Sequence, residues 1–193
     1  MPTCPYLRYS RDMDNILQLS SPRLHLVLAE RQVRRQVMTT LTARLAQRGA
    51  VRLLDGGNSF DGYGLARLLH QQGPQWRIAL ERISVARAFT CYQMAVLLAQ
   101  TDALPRPTLV LDLLDTFSDE NTPFSDRRRL LEQCLAHLQR LCQPAQVAVS
   151  IRLPPASPQA EQLLERLTAA VVQADGEVWS FATAAPQPPL RLF

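Results

Sequence analysis

Arginine sets much of the chemistry that this chain can perform. The sequence has 193 residues and 21 basic side chains, every one of which is arginine. A guanidinium is planar, always charged and suited to forked contacts with a carboxylate or a phosphate, but it cannot act as a general base or form a Schiff base. The chain can therefore hold anions, but it lacks the lysine on which phosphate-binding loops depend.

Five of these arginines fall within one stretch that has a helical pattern. Residues 31–48 contain no Gly or Pro, and Val33, Val37, Leu41 and Leu45 recur every four residues, which predicts a helix with one apolar face. The arginines of this helix are Arg31, Arg34, Arg35, Arg44 and Arg48. We interpret the first three as a solvated or partner-facing helix end, and all five as candidate contacts to phosphate or DNA.

Short apolar runs alternate with helical patterns along the rest of the chain. The predicted strands are Leu24–Leu28, Val51–Asp55, Arg82–Phe89, Thr108–Leu114, Gln146–Ile151 and Glu177–Phe181. The predicted helices lie at about 31–48, 63–72, 91–100, 125–142 and 157–174, with Ser125-Asp126 and Ser157 as caps. Such alternation predicts right-handed βαβ units and a mostly parallel central sheet with helices on both faces, which is a three-layer α/β fold.

Composition predicts a compact chain with one folded domain. Hydrophobic residues make up 47% of it, and the net charge of +4 permits nucleic-acid or acidic partners. We predict a lead-in at 1–22, an α/β domain at 23–182 and a Pro-rich tail at 183–193 that is mobile or docked on a neighbour. Because no apolar run reaches the ~20 residues of a membrane span, no signal pattern opens the chain and no C-x-x-C pair is present, we expect a cytoplasmic protein with reduced thiols and no membrane partner.

Three segments, in order, resemble the ATPase core of the RecA superfamily. They are Leu54–Asp61, Arg82–Phe89 and Thr108–Asp112, which read LDGGNSFD, RISVARAF and TLVLD. The resemblance is nearest to the archaeal and eukaryotic strand-exchange proteins and their non-catalytic paralogues, and it covers roughly Leu24 to Phe181. It implies a RecA-like, P-loop NTPase-like fold and a place in DNA recombination or repair.

The resemblance also implies where a nucleotide site would lie. The family's first strand leads into G-x-x-x-x-G-K-[ST], whose amides and lysine hold phosphate. The two Gly, the Lys and the Ser/Thr of that motif fall on Ala29, Arg34, Arg35 and Gln36. A side chain at position 34 would intrude on the phosphate, and Gln36 is a poor ligand for Mg²⁺.

Two further family positions complete this vestigial site. The glutamate that positions the attacking water falls on Gly57, and the aspartate that orients Mg²⁺ falls on Asp112. We assign the Gly56-Gly57 pair to a turn with positive φ. The residues after the next strand, Ser150 to Arg152, also depart from the family's nucleotide sensor. We therefore expect no catalytic residue, no metal site and no ATP–Mg²⁺ cofactor.

Two interpretations are open for Arg87, and two for the run of arginines at 127–129. Arg87 has either a specific ion-pair partner or a stem that lies along the sheet edge. Arg127, Arg128 and Arg129 start a helix, where the dipole disfavours cations. They are either solvated and balanced by nearby carboxylates, or they meet a phosphate or an acidic partner.

Three functions follow as hypotheses. The leading one is a catalytically inactive RecA-like protein that acts as an accessory or assembly partner of a RecA-family or other repair protein, with Phe181–Ala184 in the F-x-x-A form that recombinases use for subunit docking. The second is a protein that binds DNA without sequence preference through the Arg-rich helix. The third is a residual nucleotide-binding ATPase, with Arg35 on phosphate and Asp112 acting through Mg²⁺.

Overall fold

One parallel sheet organises the part of the chain that the structure describes. The structure is a computed structural model and describes residues 23–155 and 157–181. Six strands lie in the order β3-β2-β4-β5-β1-β6, and every neighbouring pair is parallel. The strands are β1 (Leu24–Ala29), β2 (Val51–Asp55), β3 (Ile83–Arg87), β4 (Thr108–Leu111), β5 (Val147–Arg152) and β6 (Glu177–Phe181). The prediction of an α/β fold with a parallel sheet is confirmed.

Helices cover both faces of this sheet. They are α1 (Arg31–Arg48), α2 (Gly62–Gln72), α3 (Trp76–Glu81), α4 (Cys91–Gln100), α5 (Phe124–Cys142) and α6 (Pro158–Gln173). One buried cluster joins α1, α2 and α3 to the sheet, and a second joins α4, α5 and α6 to its other face. Since both faces are buried, the central strands are apolar throughout, as parallel strands usually are.

The strand order determines which strands lie next to one another at the carboxyl edge of the sheet. The chain moves from β1 across the sheet to β2 and β3, then returns through β4 and β5 to β6. The connections from β1 to β3 cross the sheet in one direction, and those from β3 to β6 cross it in the other. Because each crossover is right-handed, α1 lies on one face of the sheet and α4 to α6 lie on the other. At such a reversal, a crevice opens beyond the carboxyl ends of the strands, where α/β proteins bind ligands.

Several element boundaries differ from the prediction, each for a local reason. Strand β4 ends at Leu111 rather than Leu114, because Asp112 has a left-handed backbone (φ 52°) and Leu113–Phe117 forms a 3-10 helix. Helix α5 starts at Phe124 with Pro123 at the N-cap, so the proposed cap at Ser125-Asp126 is wrong; the carbonyl of Pro123 accepts from the next turn. The cap at Ser157 is confirmed, since its side chain accepts from the Ala160 amide.

Arg127 is buried, so the reading of three solvated arginines is wrong for this residue. Its Nη1 donates to the Phe117 carbonyl at 3.2 Å, and its Nη2 donates to the side chain of Gln159. The guanidinium also lies over the Phe124 ring, 5.4 Å from the centroid. Arg127 therefore ties the end of the 3-10 helix to α5 and α6.

Some predictions lie outside the described residues. These are the lead-in at 1–22, the tail at 183–193 and the F-x-x-A form beyond Phe181. Among the described residues, Cys91, Cys134 and Cys142 are free thiols. No helix in that part of the chain has the length and apolar character needed to cross a bilayer.

His25 is a buried titratable residue between β1 and β6. It lies opposite Glu177 in the strand register and stacks on Trp179, with ring centroids 4.6 Å apart. Its Nδ1 is 3.4 Å from a Glu177 carboxylate oxygen, which is ion-pair distance without hydrogen-bond geometry. Burial lowers the pKa of His25 below its ordinary value of 6.5, and the opposing effect of Glu177 is smaller.

This lowered pKa predicts a pH-dependent stability. As pH falls through about 6.5, the unfolded chain takes up a proton at His25 before the folded chain does, so the free energy of unfolding decreases by at most about 1.4 kcal/mol per pH unit from this residue. We expect His25→Phe, which keeps an aromatic ring on Trp179, to flatten that slope. Urea unfolding between pH 5 and 8 measures it, and an unchanged slope in the variant would contradict the assignment.

Two glycines provide a matched test of packing at the ends of the helices. A Cβ at Gly176 would lie 2.7 Å from a methyl group of Val171 and 2.8 Å from its carbonyl oxygen, whereas a Cβ at Gly49 would meet nothing within 4 Å. We expect Gly176→Ala to lower the free energy of unfolding by about 2 kcal/mol, since backbone must move. Gly49→Ala should leave it unchanged or raise it by up to about 1 kcal/mol. Equal effects in thermal unfolding would rule out this packing.

Candidate functional site

The carboxyl edge of the sheet contains a small cavity. It lies between the first turns of α1, the loop that follows β2 and the ends of β4 and β5, and its volume is about 100 Å³. Pockets that bind drug-sized ligands typically have volumes of ~300–1,000 Å³. The cavity therefore has the position of a ligand crevice without the volume that a nucleotide needs.

A buried ion pair between Arg34 and Asp112 fills the centre of this edge. The Arg34 Nε and Nη2 atoms lie 2.5 and 3.0 Å from the two carboxylate oxygens of Asp112, and the two residues are 4% and 2% exposed. The remaining Nη1 donates to the Ala29 carbonyl at the end of β1, at 3.1 Å. The prediction that Arg34 belongs to a solvated helix end is wrong, because its fork closes on a carboxylate inside the protein.

Ser150 of β5 completes the surroundings of Asp112. Its hydroxyl donates to the Asp112 carboxylate and accepts from the Asp112 backbone amide, both at 3.0 Å. Asp112 has φ 52° and ψ 49°, a left-handed conformation that Asp tolerates better than most residues. The two hydrogen bonds and the ion pair hold this turn and bring four elements together: β1, α1, β4 and β5.

The Gly56-Gly57 pair is needed for close packing rather than for an unusual φ. Neither glycine has positive φ, so the turn that we predicted for them is wrong. A Cβ on Gly57 would lie 2.5 Å from the Cβ of Asp112, and one on Gly56 would lie 3.1 Å from the Asp112 carbonyl oxygen. The missing side chains therefore make room for the Asp112 turn. No glutamate would fit at Gly57 while Asp112 keeps this position.

Asp55 is a second fully buried carboxylate at the same edge, and it organises the loop after β2. Its two oxygens accept from the amides of Ser59 and Phe60, at 3.0 and 3.2 Å. The Arg87 Nε lies 3.4 Å from the same group, so Arg87 has a specific ion-pair partner, and it is also half-exposed at the sheet edge. Because these contacts occupy Asp55, it acts as an anchor for the loop.

Of the other arginines predicted for the site, Arg31 and Arg35 lie at the cavity, whereas Arg44 and Arg48 do not. Arg35 lies 3.0 Å from Asp61, which also caps α2 by accepting from the Gly64 amide at 2.9 Å. Arg31 and Arg35 line the cavity from the first turns of α1, whereas Arg44 and Arg48 lie further along the helix, about 14–26 Å away at 1.5 Å per residue. Gln36 is exposed, and Ala29 contributes its carbonyl.

Asp115 adds another carboxyl group next to the pair. Its pKa is raised, first by its own burial and then by the charge of Asp112, while Arg34 and Arg152 act in the opposite direction. Among the described residues, no group of three or more His, Cys, Asp or Glu side chains is placed to hold a metal ion. Arg34 therefore contacts the carboxylate of Asp112, to which the RecA resemblance assigns Mg²⁺.

Sequence reasoning missed the partners in this site. Ser150 was considered only as a departure from a nucleotide sensor, and Asp61 was not singled out. Both stand at the carboxyl side of predicted strands, Ser150 within β5 and Asp61 six residues after β2. Polar residues in such positions face the same edge of a parallel sheet, which was the available signal.

The ion pair predicts a large, partner-dependent loss of stability. Arg34→Met should lower the free energy of unfolding by about 3–5 kcal/mol, because it leaves the Asp112 carboxylate buried without its partner. The double variant Arg34→Met/Asp112→Asn should recover most of that loss, since Asn tolerates the left-handed backbone and carries no charge. Urea unfolding of the two single variants and the double variant gives the coupling energy.

Arg35→Met is the matched control for this cycle. Arg35 also pairs with an aspartate, but it is half-exposed, and exposed pairs contribute about 0–1 kcal/mol. If Arg34→Met cost no more than Arg35→Met, the buried pair would not be the structural centre of this edge.

Comparison with known proteins adds no family to this description. No protein-family model matches the chain, and no curated protein matches it significantly. A function must therefore be argued from the chain's own residues, chiefly from the Arg34–Asp112 pair and the surfaces around it.

Proposed function

We propose that this chain is a RecA-fold protein that does not turn over ATP and works as an accessory or assembly partner in DNA recombination or repair. The observation that supports the proposal is the buried pairing of Arg34 with Asp112, the aspartate to which the RecA resemblance assigns Mg²⁺. The parallel three-layer architecture fits the fold that the sequence resemblance implies, and it brings Ala29, Gly57 and Asp112 to one edge.

The chemistry at this edge opposes nucleotide binding in two independent ways. Both oxygens of Asp112 are already bound by a guanidinium, so a divalent ion would have to displace a buried, paired cation. The cavity of about 100 Å³ is also too small for a triphosphate nucleotide. A bound nucleotide would require α1 to move and would leave the Arg34 charge to find another partner.

Edge strand β3 supports a role in protein–protein contact. Among the described strands it pairs only with β2, so within that part of the chain no strand lies beside the backbone groups of Ile83, Val85 and Arg87 that point away from β2. Val85 is 41% exposed, and the exposed side chains of Phe89, Tyr92 and Val96 lie just beyond it. An apolar edge with free backbone groups is suited to receive a strand from another protein.

The DNA-binding alternative has less support. Arg34 cannot reach a phosphate while it is buried, and Arg35 is paired with Asp61. The remaining arginines of α1 lie at its two ends and form no continuous basic stripe. The residual ATPase alternative relies on Arg35 and Asp112, and both already have partners within the chain.

Calorimetric titrations with two ligands test this proposal. ATP with Mg²⁺ should give no binding heat with the chain or with Asp112→Asn. A purified RecA-family recombinase from the same host should bind, and Val85→Lys should weaken that binding about tenfold or more, because a charge is placed on the edge that receives the partner.

Val172→Lys is the control, since Val172 is 62% exposed on α6, far from β3. It should bind the recombinase as the parent does. ATP turnover by the parent chain would overturn the inactive reading. Equal weakening by both lysine variants, or no binding of the recombinase, would overturn the contact through β3.

A further inference from the structure

A second cavity, of about 380 Å³, lies at the opposite edge of the sheet from the Arg34–Asp112 pair. It is formed by the last turns of α1 and α2, the turn at Gly73-Pro74 and helix α3, next to the amino ends of β2 and β3. Its volume is within the range of ligand-binding pockets, unlike that of the cavity at the carboxyl edge. We refer to it as the Trp76 cavity.

The Trp76 cavity has an apolar floor and a rim rich in hydrogen-bond donors. Leu69, Ile78 and Ala79 provide the floor, and the half-buried Trp76 ring forms a wall. The indole N–H of Trp76 has no hydrogen-bond partner among the described residues, and the Gln75 side chain at the N-cap of α3 makes no capping bond.

The remaining polar groups of the rim also present more hydrogen-bond donors than acceptors to the cavity. Gln47 donates to the side-chain oxygen of Gln72 at 2.8 Å, so that oxygen is engaged while the Gln72 amino group is not used in the pair. Arg82 is fixed by donating to the last carbonyls of α1 and adds further N–H groups. None of the described residues that line the cavity is a carboxylate. A fitting ligand therefore offers carbonyl oxygens and apolar surface and brings few donors of its own.

A proline-rich segment has this chemistry. Proline lacks the backbone N–H and keeps its carbonyl, and proline-rich chains adopt the extended polyproline II helix, whose carbonyls point outward. Aromatic-lined grooves with indole and amide donors recognise such segments. The chain itself contains one, Pro186-Gln187-Pro188-Pro189, with Leu190 and Leu192 after it. These residues lie outside the described part of the chain.

The length of chain between Phe181 and Pro186 decides whether the segment can bind the cavity of its own copy or only that of another copy. Strands β6 and β2 are four positions apart in the sheet, which is about 19 Å, and the cavity lies at the amino edge whereas Phe181 ends β6 at the carboxyl edge, about 17 Å away along the strands. The direct distance is thus about 25 Å. The five Cα–Cα steps from Phe181 to Pro186 span at most about 18 Å when the chain is fully extended. Pro186 cannot reach the cavity of its own copy.

We propose that the Trp76 cavity binds the segment Pro186–Pro189 of a second copy of this chain. The contact is head to tail, because the two contacting surfaces differ, so each copy contributes both a cavity and a segment. The inference uses neither the Arg34–Asp112 pair nor strand β3, so it stands or falls separately from the proposed function.

A synthetic peptide of residues 185–193 is the probe. We expect it to bind the full chain at one site by calorimetry, and Trp76→Phe and Gln75→Ala to weaken binding about fivefold or more, since each removes a donor while Trp76→Phe keeps an aromatic ring. Gln71→Ala, at an exposed glutamine that does not line the cavity, should bind as the parent does. Full binding by both cavity variants would place the peptide elsewhere and overturn the site.

Sedimentation of the full chain tests the second copy. We expect association that increases with concentration, that the peptide reverses, and that is weakened in Gln75→Ala and in Pro186→Ala/Pro189→Ala. A chain that stays monomeric while the peptide binds the cavity would overturn the second copy as occupant and indicate a proline-rich segment of another protein. A chain that neither associates nor binds the peptide would overturn the whole proposal.

Discussion

The ion pair between Arg34 and Asp112 is the interaction on which the carboxyl edge of the sheet depends. One guanidinium joins β1 through the Ala29 carbonyl and β4 through the carboxylate, while Ser150 adds β5. Burying both charges costs several kcal/mol of desolvation, and the pair recovers that cost only because each guanidinium nitrogen and each carboxylate oxygen has a partner. Such a pair adds little net stability over an apolar contact. It does fix one arrangement of four elements, since any slip leaves a charge unpaired.

The geometry of the pair also explains residues that make no polar contact with it. Asp112 turns into a left-handed conformation to present its carboxylate to α1, and this turn occupies the space next to Gly56 and Gly57. The resemblance to the RecA superfamily places a glycine at position 34 and a glutamate at position 57. Here the large side chain is at 34 and the glycine is at 57. Both positions contact Asp112, since Arg34 pairs with its carboxylate and Gly57 leaves room for its Cβ, so the two differences from that family pattern have one physical cause.

The sequence was sufficient to predict the layers of this fold and insufficient to predict its site. Apolar runs and helical periods depend on nearest neighbours along the chain, so the alternation of strands and helices was predicted correctly. The partner of Arg34 is 78 residues away, and an arginine in the first turn of an amphipathic helix is normally solvated, which is why its burial was missed. The same holds for Arg127, whose partners are on the 3-10 helix and α6. Helix α3, with six residues, is too short to show a period.

The nature of the Arg34 contact limits how this protein could be regulated. In a nucleotide-driven switch, the bound phosphate and its metal favour one arrangement of the surrounding elements, and hydrolysis releases it. A guanidinium that belongs to the chain cannot be hydrolysed or exchanged, so it holds that edge in one state. Under the proposals made above, contacts at β3 and at the Trp76 cavity would then depend on concentration and affinity alone.

Both surfaces lie on the β3 side of the molecule, because α3 lines the cavity and leads directly into β3. If both proposals hold, a partner on β3 and a segment in the cavity would occupy neighbouring surfaces of one chain.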